Sequence, residues 1–298
     1  MIRTNADKLV KISVYGEISH PTVRPYRISA DGEPVALPAT GGITYNVRVG
    51  DPAVGWEADH VEPGVSIKNP NSSANDGLNT LACVGNEAVV VSGDAKGSRG
   101  VVVGKHGGIE HVLVDFPPDV LDKLMIGDKI LIKACGLGLK LLDFPEVKVM
   151  NMDPGFLEAI GVEPDGEGNL VVPVTHTIPA CIMGSGLGAD NAYRGDYDIQ
   201  LFDESIVKEY GLEDLRFGDL VAIQDADHTY GRIYRRGAVS ICVVVHSCCV
   251  TAGHGPGLTS LMSSRDGRIE PVIDPQANLA NYLKIGRMRP KRRPRKRR

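Results

Sequence analysis

Apolar and polar positions alternate in short runs along most of the chain, and glycine or proline ends nearly every run. The segment Lys8–Gly16 alternates with period two, which predicts a half-exposed strand. Similar runs predict further strands at 87–92, 100–103, 111–115, 129–134, 169–174, 197–202, 220–223 and 238–246. Only short helices fit between them, at 118–124, 156–160, 204–210 and 276–283. The polar stretch Asn69–Gly77 predicts a long loop.

One apolar pattern occurs twice. Residues 121–132 match residues 212–223 at most apolar positions, and each copy contains a Gly-Asp pair, Gly127-Asp128 and Gly218-Asp219. Glycine permits a tight turn, and an aspartate there can accept hydrogen bonds from neighbouring backbone amides. The pattern therefore predicts a mainly β fold (β-rich α+β) with pseudo-duplicated strand–helix–strand units in a barrel or sandwich. Ligand space is expected near the junction of the two units.

Length and composition favour an ordinary folded protein. The chain has 298 residues, of which 42% are hydrophobic and 23% charged, which excludes a disordered or fibrous chain. We expect three segments: an N-terminal β-rich unit (1–165), a C-terminal β-rich unit that carries the site (166–286) and a basic disordered tail (287–298). No run approaches the roughly 18 apolar residues that a membrane helix needs.

The cysteines and the N-terminus predict a cytoplasmic protein. The six cysteines are scattered and form no CxxC pair, which argues against a zinc finger and favours reduced thiols. The polar start of the chain lacks the apolar core of a signal peptide.

Charge is distributed unevenly along the chain. Residues 287–298 contain nine basic side chains and no acidic one; removing these nine from the 33 basic residues leaves 24 against 37 acidic residues. Such a tail can contact nucleic acid or another polyanion by counterion release. The alternative is a solvated terminus that raises solubility.

Ionisable residues follow the second Gly-Asp copy. Where the first copy continues with Lys133-Ala-Cys-Gly-Leu-Gly-Leu, the second continues with Gln224-Asp-Ala-Asp-His-Thr-Tyr-Gly-Arg. Loops at strand ends are where rigid scaffolds present reactive side chains. We therefore assign candidate roles to Asp225, Asp227 and His228; the alternative is a polar hairpin loop.

Further candidates lie in glycine-rich segments. The apolar strand 238–246 ends at His246, and His254 follows between Gly253 and Gly255. Glycines let a backbone approach a ligand closely, and histidines ligate metal or move protons. Upstream, the segment 184–188 (GSGLG) precedes Asp198. The alternative for the histidine pair is an ordinary hairpin.

These candidates receive three kinds of role. We predict catalysis by Asp225, His228 and His254, binding of a divalent metal by Asp198, Asp227 and His246, and ligand binding by the glycines Gly184, Gly186, Gly188, Gly253 and Gly255. His228, His246 and at least one of Asp225 and Asp227 should converge on one pocket. Direct pairing of strands 220–223 and 238–246 would oppose this, because it places His246 at the far end of the hairpin.

Two families show a resemblance. Segments from His176-Thr-Ile-Pro-Ala to Ala252-Gly-His-Gly-Pro-Gly resemble a bacterial family catalogued as domain of unknown function 4438, which implies no reaction. The chain is also similar, more distantly, to the acetamidase/formamidase family, β-rich amide hydrolases. That similarity lies in the order of four elements: Gly195-Asp-Tyr-Asp198, Gly218-Asp219, Asp225-Ala-Asp-His228 and Gly231.

The sequence thus supports two functions. The first is a metal-assisted hydrolase of a small amide or related C–N compound, in which a bound ion activates water. The second is a non-catalytic small-anion-binding protein whose basic tail contacts a polyanion. Both imply a small-molecule ligand and no membrane, and both leave a homo-oligomer open.

Overall fold

Strands dominate the computed structural model, which describes residues 2–290. The strands are β1 Ile12–Ile18, β2 Arg27–Ile28, β3 Pro34–Val35, β4 Ile43–Thr44, β5 Gly64–Lys68, β6 Glu87–Val90, β7 Arg99–His106, β8 His111–Asp115, β9 Lys129–Ala134, β10 Val147–Val149, β11 Glu163–Pro164, β12 Leu170–Val174, β13 His176–Pro179, β14 Tyr197–Asp198, β15 Leu220–Asp227, β16 Ile233–His246, β17 Gly257–Ser264 and β18 Ile269–Ile273. The helices are short: α1 Ser72–Leu81, α2 Pro118–Leu121, α3 Pro154–Ile160, α4 Glu204–Tyr210 and α5 Leu279–Leu283.

The first sheet closes on itself. Its strands follow the order β1-β9-β6-β7-β8-β5, and β5 pairs again with β1, so six antiparallel strands form a barrel to which β4 is added at β5. Alternate side chains fill the interior, among them Ile67, Val102, Val114 and Ile132. Closure removes the unpaired edges that an open sheet exposes.

The second large sheet has the order β10-β17-β16-β15-β13, and β14 also pairs with β17. Only β13 and β15 run parallel; the other pairs are antiparallel. Strands β11, β12 and β18 form a third sheet. The predicted β-rich fold is therefore confirmed, and its barrel is a closed one.

The prediction of a loop at Asn69–Gly77 is wrong, because most of these residues belong to α1. Asn71 caps this helix by accepting a hydrogen bond from the Ala74 amide at 2.9 Å. Asn75 accepts from the Asn69 amide, and Asn79 donates to the Glu110 carbonyl. The polar side chains that suggested a loop are thus used to start the helix and to fix it to the barrel.

The two Gly-Asp copies form the same turn. Gly127 and Gly218 have φ of 89° and 84°. Asp128 accepts a hydrogen bond from the Met125 amide and Asp219 from the Arg216 amide, each at 2.9 Å. The strands that follow belong to different sheets, β9 to the barrel and β15 to the second sheet.

The predicted disorder of 287–298 does not extend to its first residues. Arg287 pairs with Asp51, and Arg289 pairs with Asp115. Both carboxylates are buried, so the guanidinium groups neutralise charges that would otherwise be unpaired. Residues 291–298, which carry most of the predicted tail, lie outside the described residues.

One apolar core joins the two predicted units. It contains Val103 from β7 and Val245 from β16, together with residues as distant as Val49 and Ile285. The boundary near residue 165 stays a prediction. No helix within residues 2–290 is long and apolar enough to cross a membrane.

Gly104 lets β7 approach β16 closely. A Cβ at this position would lie 2.2 Å from Val245 Cγ1. Gly104→Ala is therefore expected to lower the free energy of unfolding by about 1–3 kcal/mol, as overpacking does. The control is Gly77→Ala in α1, where nothing lies within 4 Å and alanine should be neutral or stabilising. Urea unfolding measures both, and equal stability of the two variants would contradict the close approach.

Candidate metal centre

Four histidine rings meet where the barrel contacts the second sheet. The ring centroids of His106 and His246 lie 4.1 Å apart, and those of His60 and His246 lie 5.0 Å apart. His254 lies 5.1 Å from His60. Asp196 and Asp198 contact these rings. We call the six residues His60, His106, Asp196, Asp198, His246 and His254 the histidine–aspartate cluster.

Strand ends position most of the cluster. His106 is the last residue of β7 and His246 the last of β16, so both rings emerge where a strand stops. Asp196 and Asp198 flank Tyr197 of β14, whose ring is buried in the core on the opposite face. The period of two along a strand therefore points both carboxylates to the same side.

The outer nitrogen of three rings has a fixed hydrogen-bond acceptor. His60 Nδ1 lies 3.1 Å from Asp59 Oδ1, His106 Nδ1 lies 2.6 Å from Glu62 Oε1, and His246 Nδ1 lies 3.0 Å from the Ser247 carbonyl. Each contact favours Nδ1 as the donor and turns Nε2 toward the cluster, where this nitrogen can bind a metal ion when it carries no proton. Histidines that bind metal show this arrangement, with the second nitrogen held by a carboxylate or carbonyl.

Glu62 holds the barrel side of the cluster. Its carboxylate, which is 1% exposed, contacts His106 and His111 and accepts hydrogen bonds from Ser66 Oγ and the Gly41 amide. Burial raises the pKa of a carboxyl group, but the charges of His111 and His106 outweigh it and keep the pKa of Glu62 well below its ordinary value. Glu62 is therefore an anion that orients the His106 ring. It does not itself face the space between the cluster residues.

Two donor atoms face each other without a hydrogen bond. Asp196 Oδ2 and His246 Nε2 are buried and 2.8 Å apart without forming a hydrogen bond, so they are partners only as an ion pair, when His246 is protonated. The other oxygen of Asp196 accepts from the Gly107 amide at 2.7 Å. When His246 is neutral, both atoms are buried without a partner, a rare and costly state that a bound cation would relieve.

Gly257 brings the backbone of β17 close to these two atoms. A Cβ at residue 257 would lie 2.0 Å from Asp196 Oδ2 and 2.1 Å from His246 Nε2. Only glycine therefore lets the backbone of β17 pass this close to both side chains, because a side chain at residue 257 would overlap them.

The electrostatic field of the cluster favours positive charge. Burial lowers the pKa of His246, but the charges of Asp196 and Asp198 outweigh it and raise that pKa to about 10. Burial also opposes protonation of His60, but hydrogen bonds to Asp198 and Asp59 raise its pKa to about 11. The carboxylates that favour a proton on these rings also favour a cation near them.

Two adjoining clefts reach the cluster from solvent. Their volumes are about 370 and 390 Å³, and both are lined by His60, His106 and His254. The second cleft is also lined by Arg232, which is 2% exposed and whose Nε has no hydrogen-bond partner in the described chain. A small molecule in this cleft can therefore contact the cluster and a buried cation together.

The structure brings three predicted residues together and places three elsewhere. Asp198, His246 and His254 belong to the cluster. Asp225, with φ of 57°, accepts from the Gly237 amide, and Asp227 pairs with Arg265 at 2.9 Å. His228 Nδ1 lies 2.7 Å from Ser260 Oγ, and its ring contacts Tyr197.

Strand pairing explains this separation. Leu220 of β15 pairs with Val243 of β16, and Asp227 pairs with Ile233, so the two strands form the direct hairpin considered above. Asp225 and Asp227 therefore lie toward the loop end, whereas His246 lies at the other end of β16. Asp225 and Asp227 shape the hairpin, and neither belongs to the groups of potential metal ligands found within residues 2–290.

The predicted glycines mainly position Asp198. The Gly184 amide donates to the Asp198 carbonyl at 2.9 Å, and the Gly255 amide donates to Asp198 Oδ2 at 3.4 Å. A Cβ at Gly184 would lie 2.4 Å from the Gly253 carbonyl oxygen, so these two loops pack backbone to backbone. Gly186 lines the second cleft, and the Gly188 amide donates to the Arg232 carbonyl.

Sequence reasoning assigned no role to His60, Glu62 and His106. His106 ends an apolar strand and precedes two glycines, the same local pattern that identified His246 and His254. That pattern could have identified His106 as a candidate site residue. His60 and Glu62 stand in Ala-Asp-His-Val-Glu-Pro-Gly, which has no feature that distinguishes it from an ordinary polar turn.

Comparisons with known proteins identify the family. Residues 26–158 match the N-terminal part, and residues 159–283 the C-terminal part, of a domain of unknown function, DUF4438. The chain is 54% identical to the crystal structure of TM1086, with a TM-score of 0.91 over 94% of this chain and 99% of that chain. No curated protein is similar in sequence. The chain belongs to the DUF4438 family, and these comparisons do not support the acetamidase/formamidase resemblance.

Proposed function

We propose that this protein is a metal-dependent hydrolase of a small amide or a related C–N compound. The proposal gives His106, Asp196 and His246 as ligands of a divalent ion. One observation carries it: the buried atoms Asp196 Oδ2 and His246 Nε2 lie 2.8 Å apart without a hydrogen bond to any described residue, so a cation can take the place of the proton that pairs them. The outer atoms of the same side chains are already held, by the Gly107 amide and the Ser247 carbonyl.

The donor types favour a transition metal. Imidazole nitrogen suits zinc, copper, iron and nickel, whereas magnesium and calcium prefer oxygen ligands. Within the group His106, Asp196 and His246, all donor atoms lie within 4.8 Å of one another. Three protein ligands leave a coordination position open, as catalytic sites require.

The surrounding residues support hydrolysis of a small substrate. A bound ion lowers the pKa of a coordinated water to about 7 and polarises a carbonyl group. Arg232 is placed to stabilise the negative charge that develops on the substrate, because it is buried and lines the same cleft. The cleft volumes of about 370 and 390 Å³ fall at the small end of ligand pockets.

Metal analysis combined with an amidase assay tests the proposal. We expect purified protein to contain a transition metal and to release ammonia from one of a panel of small primary amides. A chelator should stop this release, and the ion should restore it. Gly257→Ala, whose Cβ would overlap Asp196 and His246 and displace both donors, should lose both metal and activity, whereas Gly77→Ala should keep both. Metal-free protein that takes up no ion would contradict the proposal.

A second function, a small-anion-binding protein, is favoured by basic residues. Arg232 lacks a partner at Nε, and a third cleft is lined by Arg48, Lys96, Arg99, Lys123, Arg287 and Arg289 close to the start of the basic tail. Such a surface suits contact with a polyanion. The same metal analysis separates the two functions, because a polar anion cleft needs no ion.

The six free cysteines support the cytoplasmic location that the sequence predicts.

A further inference from the structure

The two oxygens of Asp198 face different ligands. Oδ1 lies 3.3 Å from His246 Nε2. Oδ2 lies 2.8 Å from His254 Nδ1 and 3.7 Å from His60 Nε2. The carboxylate is buried and thus stands between the proposed metal site and a second pair of histidines.

That second pair belongs to a separate set of potential ligands. His60, Cys249 and His254 place their donor atoms within 4.8 Å of one another, and this set shares no residue with His106, Asp196 and His246. At bond lengths of about 2.0–2.3 Å, donors this close can bind one ion. Cys249 is buried, and the Thr251 amide donates to its sulfur at 3.2 Å.

His60 is held as a ligand would be. Its Nδ1 contacts Asp59, which also pairs with Arg27 at 2.9 Å, so the ring has a fixed orientation. Its Nε2 lies 3.2 Å from His254 Nδ1. Two imidazole nitrogens and one carboxylate oxygen therefore converge beside a thiol, on the solvent side of the first site.

We propose that the cluster holds two divalent ions and that the Asp198 carboxylate bridges them. The second ion is bound by His60, Cys249 and His254, and the inference rests on the metal site of the proposed function. Paired ions about 3.5–4 Å apart occur in hydrolases, where they clamp the attacking and leaving groups. The thiol and the two imidazoles suit zinc at the second position.

Metal stoichiometry tests this inference. Protein saturated with zinc and then desalted should hold two ions per chain by elemental analysis. Cys249→Ala and His254→Ala should each hold one. Asp198→Asn, which weakens the bridge, should lower the affinity for both ions. His20→Ala removes an exposed histidine outside the cluster and should still hold two ions.

Cobalt provides an independent readout. Wild-type protein with two equivalents of cobalt should show a thiolate-to-cobalt charge-transfer band, and Cys249→Ala should lose that band but keep the ligand-field bands of the first ion. Circular dichroism identifies a variant that fails to fold, in which case the other variant of the pair decides. One ion per chain in wild-type protein, unchanged in both variants, would overturn the second site and leave the proposed function intact. No bound ion at all would overturn both.

Discussion

Replacing Glu62 with glutamine is expected to weaken metal binding by about 10- to 100-fold, the usual effect of losing a carboxylate that orients a ligand. An amide offers one acceptor oxygen where the carboxylate offers two. His106, His111, Ser66 Oγ and the Gly41 amide all contact that carboxylate. The same change should lower the free energy of unfolding by about 3–5 kcal/mol, because it breaks a buried charged network.

Two measurements separate the effects of this substitution. Competition with a chromophoric chelator gives the affinity for zinc, and urea unfolding of metal-free protein gives the stability. Glu57→Gln is the matched control, since Glu57 is exposed and has the same chemistry. Wild-type zinc affinity in Glu62→Gln would show that His106 is not held for metal binding.

Acidification is expected to destabilise the wild-type protein more than a His228→Gln variant. His228 is fully buried, and burial together with the nearby charge of Arg232 lowers its pKa to about 3. Tyr197, Cys242 and Ser260 are its other polar neighbours. None of these groups supplies a negative charge that would stabilise the protonated ring.

The direction follows from proton binding. Between pH 6.5, the ordinary pKa of histidine, and pH 3, the unfolded chain binds a proton at His228 that the folded protein does not. Stability is therefore lost as the pH falls through this range, by about 1.4 kcal/mol per pH unit. Between pH 7 and pH 5, the free energy of unfolding of the wild type should fall by about 2 kcal/mol more than that of His228→Gln.

Urea unfolding at pH 7 and pH 5 measures this difference. Glutamine can keep the hydrogen bond to Ser260 Oγ but does not titrate, so the change with pH is informative even if absolute stability differs. His20→Gln, at an exposed position, should follow the wild type. Parallel curves for wild type and His228→Gln would mean that His228 is protonated in the folded protein.

Local patterns predicted the elements better than their arrangement. Alternation along Lys8–Gly16 and 129–134 identified β1 and β9, because one face of each strand is buried and the other is not. Closure of the barrel through β1 and β5 depends on pairing between residues about 50 apart, such as Glu17 with Lys68. No local pattern reports such a pairing.

The same limit explains which residues of the candidate site the sequence predicted and which it missed. Asp198, His246 and His254 were found because glycines or a strand end mark them in the sequence. Asp225 and Asp227 were assigned metal or catalytic roles from a local concentration of charge, which in the structure serves a bulge in the β15–β16 hairpin and an ion pair with Arg265. His60 meets His254 across 194 residues, a contact that only the folded chain reveals.

Each set of potential ligands draws on both halves of the chain. His106 and His60 lie before residue 159, whereas their partners Asp196, His246, Cys249 and His254 lie after it. If the gene were divided at residue 159, the N-terminal product would carry one ligand for each proposed ion and the C-terminal product would carry two. Neither piece could complete a three-ligand site, so natural selection for metal binding would act on the two halves only while they are inherited together.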